Sequence, residues 1–369
     1  MALPVVRSMS APKLTRRFIL QGMTAIPALV ISAAPRMSFG QAAALPTAKW
    51  AKQIGIELYT VRDLMENDFE GTLARLAALG FSEVEPANGY NDMSPKDFRS
   101  MLDRHGMSAP STHSGPTLGA GLEKELEGFQ VMGIKYTSEP TPARPVVPGR
   151  KPGSGMLGAY FGGHNSFTQA EAFGPKQLPI SLDEAQRRAA ELNKYGKIAN
   201  KFGIKMLVHN HTGEFMPLTD APQRTEYDVY LKETDPSLVA MQIDLGWATI
   251  AGQDVPAMFK ANPGRYELWH IKDVFGIRNL NTKLPPLERI DAVTFEPYGV
   301  GQIDYKPFFD LADVAGLKHF CLEQDNAATW GDSLAAAGIS VKNLQAMLTT
   351  GKTPGALYNR TDPYYRDSK

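Results

Sequence analysis

Eight times in succession a short apolar run is followed by a segment with helical spacing, and that alternation leaves the chain few folds to adopt. Ile54-Gly-Ile-Glu-Leu58 is the first run, after which Phe69, Leu73, Leu76 and Leu79 recur at helical spacing before Gly80. Glu83-Val-Glu85 is the second, followed by a helix that opens at Ser94-Pro95 and runs to His105. Met107 to His113 is the third, with a helix from Leu122 to Met132 closed by Gly133. Ile134 to Ser138 is the fourth, and a Pro/Gly-rich insertion from Pro140 to Pro179 follows it. Ser181-Leu-Asp-Glu184 has the spacing of a capping box and opens a long helix to Phe202. Ile204 to His209 and Leu238 to Asp244 are strands five and six, with a short helix around Tyr227 to Lys232 between them and another over Val255 to Ala261. Tyr266 to Lys272 is strand seven, a second insertion covers Phe275 to Gly299, and Tyr305 to Val314 is helical. Lys318 to Glu323 is strand eight and Ser333 to Leu348 the last helix.

Strands that alternate with helices imply right-handed crossovers and a parallel sheet. Eight such units predict an α/β fold, a (β/α)8 TIM barrel in a single domain over residues 50–350, with insertions after strands four and seven. A doubly wound open sheet is the alternative architecture, but no Gly-rich phosphate fingerprint follows the first strand. Residues 351–369 read as a polar C-terminal tail.

The first 44 residues are a different kind of sequence. Arg7, Lys13, Arg16, Arg17 and Arg36 fall before Gly40 with no acidic residue among them. Thr15-Arg-Arg-Phe-Ile-Leu20 resembles the twin-arginine export motif, and small-x-small cleavage patterns lie at Ser38-Phe-Gly40 and Ala42-Ala-Ala44. The apolar run from Gly22 to Ala34 is short of the ~20 residues a spanning helix needs and is interrupted by Pro27. Residues 1–44 are therefore expected to be a cleaved leader and short linker, placing a folded protein in the periplasm with no stable membrane insertion after processing. The alternative is an uncleaved anchor.

Across the whole chain Lys+Arg and Asp+Glu both number 39, so loss of the basic leader leaves an acidic remainder. No basic groove for nucleic acid is indicated. One cysteine, Cys321, excludes a disulfide framework and a Cys-rich metal site.

Barrel enzymes work at the C-terminal ends of their strands. The strand ends here are Glu85, His113, Glu139, His209, Asp244, His270 and Glu323. His209, Asp244, His270 and Glu323 end four consecutive strands and together suit one divalent metal. Manganese is the first choice, with zinc, cobalt, iron or nickel next and magnesium less apt for two imidazoles.

Ile54-Gly-Ile-Glu-Leu-Tyr-Thr-Val-Arg-Asp63, Val208-His-Asn-His211, Glu233-Thr-Asp-Pro236, Ile243-Asp-Leu-Gly-Trp247, Pro263-Gly-Arg265, His270-Ile-Lys-Asp273, Gly299-Val-Gly-Gln-Ile-Asp304 and Glu323-Gln-Asp-Asn326 are ordered motifs along the chain. Together they resemble the sugar phosphate isomerase/epimerase family of xylose isomerase-like TIM barrels, related to AP endonuclease family 2. The resemblance implies a divalent metal at the ends of strands five to eight and a small carbohydrate substrate. In ketose epimerases of that superfamily, strand five ends in a glutamate that trades a proton with the strand-eight glutamate. Here His209 stands in its place, so two-carboxylate exchange lacks a partner. Glu323 remains a candidate base, and His211, Lys272, His113 and Glu85 are the other expected catalytic groups. Trp247 occupies the place of a ligand histidine in the endonuclease branch, which argues against phosphodiester chemistry.

A metal on adjacent hydroxyl and carbonyl oxygens acidifies the carbon between them, and a nearby base takes the proton to leave an enediolate. Returning the proton gives isomerisation or epimerisation, the first expectation. Expelling a group from the β carbon gives elimination, the alternative, as in cleavage of a 3-keto-glycoside or C-glycoside. A non-catalytic sugar-binding protein is a third reading. A homo-oligomer is compatible with the chain.

Glu139, Trp247 and His164 are expected substrate contacts. Trp247 is equally suited to the core, and His164 lies in the first insertion, where an ordinary loop is the alternative. His105 at a helix end, His319 within strand eight and Arg265 before strand seven read as structural.

Overall fold

The computed structural model describes residues 45–87, 93–141 and 179–354. The leader, most of the first insertion with His164, and the C-terminal tail lie outside the described residues.

The eight-strand expectation holds. Parallel strands β1 (Gly55–Glu57), β2 (Glu83–Glu85), β3 (Ser111–Thr112), β4 (Tyr136–Thr137), β5 (Lys205–His209), β6 (Val239–Asp244) and β7 (Leu268–Ile271) join β10 (His319–Leu322) in the order β2-β1-β10-β7-β6-β5-β4-β3. A parallel bridge between Glu83 and Ser108 brings the two ends of the sheet together, giving a nearly closed barrel. β3 and β4 are shorter than the apolar runs that predict them.

The helices follow their signals closely. They are α1 (Arg62–Met65), α2 (Phe69–Leu79), α3 (Pro95–Arg104), α4 (Leu122–Met132), α5 (Leu182–Ala199), α6 (Glu226–Glu233), α7 (Leu245–Ile250), α8 (Val255–Ala261), α9 (Lys306–Asp310), α10 (Ala312–Ala315) and α11 (Ser333–Thr350). The helix expected over Tyr305 to Val314 breaks into α9 and α10. The capping box predicted at Ser181 forms only in half: Ser181 accepts from the Glu184 N–H, while the Glu184 carboxylate pairs with Arg187 and Arg188. Thr225 and Asp228 make the complete box, at the start of α6.

Two features of the upper rim were not foreseen. α7 starts directly at the end of β6, with Asp244 as its N-cap, accepting from the Trp247 N–H at 2.8 Å. Gly246 lets this helix approach β7, since a Cβ there would lie 2.3 Å from the Lys272 carbonyl oxygen. The second insertion also contains an antiparallel pair, β8 (Asp273–Phe275) with β9 (Thr294–Glu296). It is organised by Asp273, whose carboxylate accepts N–H bonds from Val274, Gly299, Gly301 and Ile303. This accounts for the Gly-x-Gly spacing of that motif, because a Cβ on Gly301 would lie 2.2 Å from Asp273 Oδ1.

Alternation along the strands sends Met206, Val208, Met241, Ile243, Trp269 and Ile271 into the main apolar cluster with the helices. Tyr136, Leu207, Ala240 and Leu268 form a separate cluster inside the barrel. Beneath it, buried Glu267 accepts from Tyr136 Oη at 2.8 Å and pairs with Lys205 at 2.5 Å and Lys318 at 2.6 Å. His319 faces Glu83 at 3.0 Å. Arg265 donates to the Val239 carbonyl and to Thr234 Oγ1. These two residues are structural, as expected.

Candidate active site

Above the apolar plug the inward-facing positions turn polar. β1, β2, β5, β6, β7 and β10 bring Glu57, Glu85, His209, Gln242, His270 and Glu323 together, and His113 joins them just past β3. Strand alternation points them inward, while neighbours such as Val84, Val208, Met241, Ile243, Ile271 and Leu322 are buried on the other side.

Glu85 is completely buried and binds the group together. One carboxylate oxygen accepts from Ser111 Oγ and from Gln242 Nε2 at 2.6 Å. The other lies 3.1 Å from His270 Nε2 and 3.3 Å from His113 Nδ1. Burial alone would raise its pKa, but His270 and His113 more than reverse this and hold it well below the usual range. Glu85, expected to be catalytic, is thus fully engaged with protein groups and acts as an anchor.

His270 is wholly buried between two carboxylates, with Nδ1 2.7 Å from Glu323 and Nε2 3.1 Å from Glu85. Burial disfavours its charge, but Glu85 and Glu323 raise it well above the ordinary imidazole range. His209 behaves oppositely: burial and the neighbouring His113, His270 and His211 keep it well below that range. Its Nδ1 is 3.2 Å from Gln242 Oε1.

Lys272 lies one layer higher and is completely buried. Its Nζ is 2.8 Å from Asp325, 3.1 Å from Glu323 and 3.2 Å from Asp244, with the rings of Trp247 and Phe295 at 5.1 and 5.5 Å. Burial opposes the charge, and the three carboxylates outweigh it. Tyr305 Oη holds the Lys272 backbone at both its N–H and its carbonyl. Glu323 is kept well below the usual range by Lys272 and His270 despite burial. Asp325 is pushed up to about 7, by burial first and then by Glu323, against the pull of Lys272.

The expected metal quartet is only partly gathered. Side-chain donors within 4.8 Å of one another form the groups His113/His209/His270, Glu57/His270/Glu323 and Glu57/Glu85/His113. Asp244 belongs to none of them among the described residues. Its carboxylate caps α7 and faces Lys272, an orientation that strand position alone does not determine. The remaining donors suit a divalent ion. Imidazoles and carboxylates lie together, and His209 has one nitrogen anchored, on Gln242, as metal-ligating histidines usually do, while His270 spans Glu85 and Glu323.

His211 stands two residues beyond β5, its ring 5.0 Å from His209 and 5.4 Å from Trp247. Burial and the nearby Lys272 charge keep it neutral, well below its ordinary pKa. Its backbone N–H donates to Glu214 at 2.7 Å. Trp247 does not form a wall for substrate: it is fully enclosed, edge-on to Phe295 at 4.9 Å and beneath Lys272. Glu139 is exposed beyond the end of β4.

Three residues were overlooked. Glu57 lies one residue before the end of the first apolar run, and it is the last residue of β1, as Glu85 is of β2. Burial and the facing Glu323 carboxylate push Glu57 well above the ordinary range. Asp325 lies within a motif already quoted. Gln242 is one inward step before Asp244, and only its neutral side chain hid it.

The comparisons with known proteins agree with this fold. The model of the xylose isomerase-like TIM barrel family matches residues 73–344. The chain is 31% identical over 279 residues to inosose dehydratase of Geobacillus thermodenitrificans, covering 71% of this chain and 84% of the relative. Among solved structures, a sugar phosphate isomerase/epimerase from Parabacteroides distasonis superposes with a TM-score of 0.56 at 20% identity, covering 80% of this chain and 94% of that one. An L-ribulose 3-epimerase superposes with a TM-score of 0.51 at 14% identity, covering 80% and 94%. At those identities the structural likeness speaks for the fold alone. No helix among the described residues is long and apolar enough to cross a membrane.

Proposed function

This chain belongs to the xylose isomerase-like TIM barrel family, and from that premise we propose that it is a metal-dependent lyase acting on a small polyhydroxylated ketone. It removes the proton beside the carbonyl and expels the hydroxyl of the next carbon as water. The feature that carries this reading is the unlike pair of buried groups near Lys272: an imidazole, His211, against Trp247, and a carboxyl, Asp325, 2.8 Å from Nζ, with burial holding the first below its ordinary range and pushing the second up to about 7. Epimerisation by proton exchange calls for two comparable bases on opposite sides of one carbon. Elimination calls for a base and an acid of different character. The name of the Geobacillus relative, a dehydratase of inosose, supports the same outcome. Isomerisation or epimerisation shares the first step.

His209, His270 and Glu323 would hold the divalent ion, with His113 and Glu57 beside them. When bound it supplies Lewis-acid polarisation of the substrate carbonyl. Manganese, zinc, cobalt, iron and nickel all suit this donor set, and magnesium suits it least. The chain's own residues do the rest. His211 accepts the carbon-bound proton at an imidazole nitrogen. Asp325 delivers a proton to the departing hydroxyl, so the C–O bond breaks as the C=C bond forms and water leaves. Lys272 keeps Glu323 ionised and close.

With inosose as probe, His211→Ala is expected to lower kcat about 10²–10⁴-fold with the thermal transition unchanged. Because Asp325 must be protonated, kcat is expected to fall as pH rises through about 7, and Asp325→Asn to remove that limb. Full activity in the His211 variant would refute the assignment.

The arginine-pair leader supports an exported enzyme that folds before translocation. Fractionation of cells producing wild-type and Arg16→Lys/Arg17→Lys chains tests this: the wild type is expected in the periplasm and the variant in the cytoplasm. Equal distributions would contradict it.

A further inference from the structure

We propose that Gln242 is a positioning residue that fixes the tautomer of His209, leaving Nε2 as the nitrogen that carries the lone pair. Gln242 is buried at 1% exposure in the middle of β6, between Glu85 and His209. The orientation of its amide follows from its neighbours. An ionised carboxylate can only accept, so the Gln242 NH2 must face Glu85, where the contact is 2.6 Å. The amide oxygen then faces His209 Nδ1 at 3.2 Å. An amide oxygen only accepts, so the proton of a neutral His209 belongs on Nδ1. The electron pair is left on Nε2, the nitrogen available to an ion.

The same carboxylate anchors the second histidine, since Glu85 lies 3.1 Å from His270 Nε2. Both imidazoles are therefore oriented from one buried group, His270 directly and His209 through Gln242. One buried carboxylate thus sets both rings, with Nε2 of His209 left for an ion and Nδ1 of His270 turned to Glu323. The consequence for metal affinity rests on the function proposed above; the tautomer itself does not.

Two-bond 15N–1H correlation spectra of the histidine-labelled full chain, recorded at about pH 8, above the ordinary imidazole range, test this directly. The His209 signals are assigned by their loss in His209→Gln. Wild type is expected to show the Nδ1–H form. Gln242→Met, similar in size but without acceptor or donor, is expected to lose that preference and to bind cobalt about 10–100-fold more weakly. Gln242→Glu is expected to keep the Nδ1–H form, because a protonated carboxyl can donate to Glu85 and accept from His209. An Nε2–H form in wild type, or an unchanged Nδ1–H form in Gln242→Met, overturns the proposal. If Gln242→Met does not fold, the wild-type and Gln242→Glu spectra decide it, with an Nε2–H form in either as the overturning result. A wild type that takes up no cobalt would remove the metal reading and leave the tautomer result to decide this one.

Discussion

Replacing Lys272 by methionine is expected to lower the free energy of unfolding by about 3–5 kcal/mol and to abolish turnover. The ammonium is enclosed by Asp244, Glu323 and Asp325 and by two aromatic rings. Methionine keeps an unbranched apolar stem of nearly the same length and removes the ammonium with its charge and donors. Three buried carboxylates are then left to repel one another, and removing one partner of a buried ion pair costs far more than the pair contributes as a whole. Protons taken up by the carboxylates relieve part of this, so Glu323 would lose the ionised form the site depends on. Chemical denaturation at neutral pH measures the change. Adding Asp244→Asn in the Lys272→Met background is expected to recover part of the loss, because it removes one of the uncompensated charges. A change below about 1 kcal/mol, against the 3–5 expected for a buried pair, together with retained turnover would show that the lysine is not the cation holding this rim together.

Glu323→Gln is expected to reduce turnover about 10³-fold or more and to weaken cobalt binding. Glu323 touches both cations of the site, His270 at 2.7 Å and Lys272 at 3.1 Å. An amide keeps the shape, and its oxygen can take both contacts because both fall on Oε2, but it carries no charge for a metal or for the two cations. Asp244→Asn should behave differently. Its carboxylate caps α7 and neutralises Lys272, so the variant is expected to lose stability while keeping cobalt affinity near wild type. Parallel cobalt titrations and unfolding curves separate the two. Equal loss of cobalt affinity in both variants would restore Asp244 to the ligand set and show that its pairing with Lys272 gives way to the ion.

Residues that mark a strand end were legible because two simple periodicities locate them. Apolar alternation sets the strand, and its last inward residue points into the mouth. That rule identifies Glu85, His113, His209, His270 and Glu323, and the structure brings all five within one cluster. It does not reveal what each side chain faces. Asp244 and Glu323 have the same kind of position, yet one is turned to a helix start and the other to an imidazole. The difference comes from α7, a six-residue apolar segment too short to show a helical stripe of its own. Gln242 was hidden for a related reason: an amide on an inward position has no charge to mark it, and its importance arises only from the carboxylate and imidazole on either side. Trp247 could not be divided between substrate wall and core until β9 supplied the Phe295 that covers it.

The barrel is stoppered from below. Tyr136, Leu207, Ala240 and Leu268 fill its interior, and Glu267 ties Lys205, Lys318 and Tyr136 across the lower rim. A molecule converted in the upper cluster cannot pass through to the other side. Among the described residues, arrival and departure are both left to the upper rim, so a lingering product stands in the path of its own precursor.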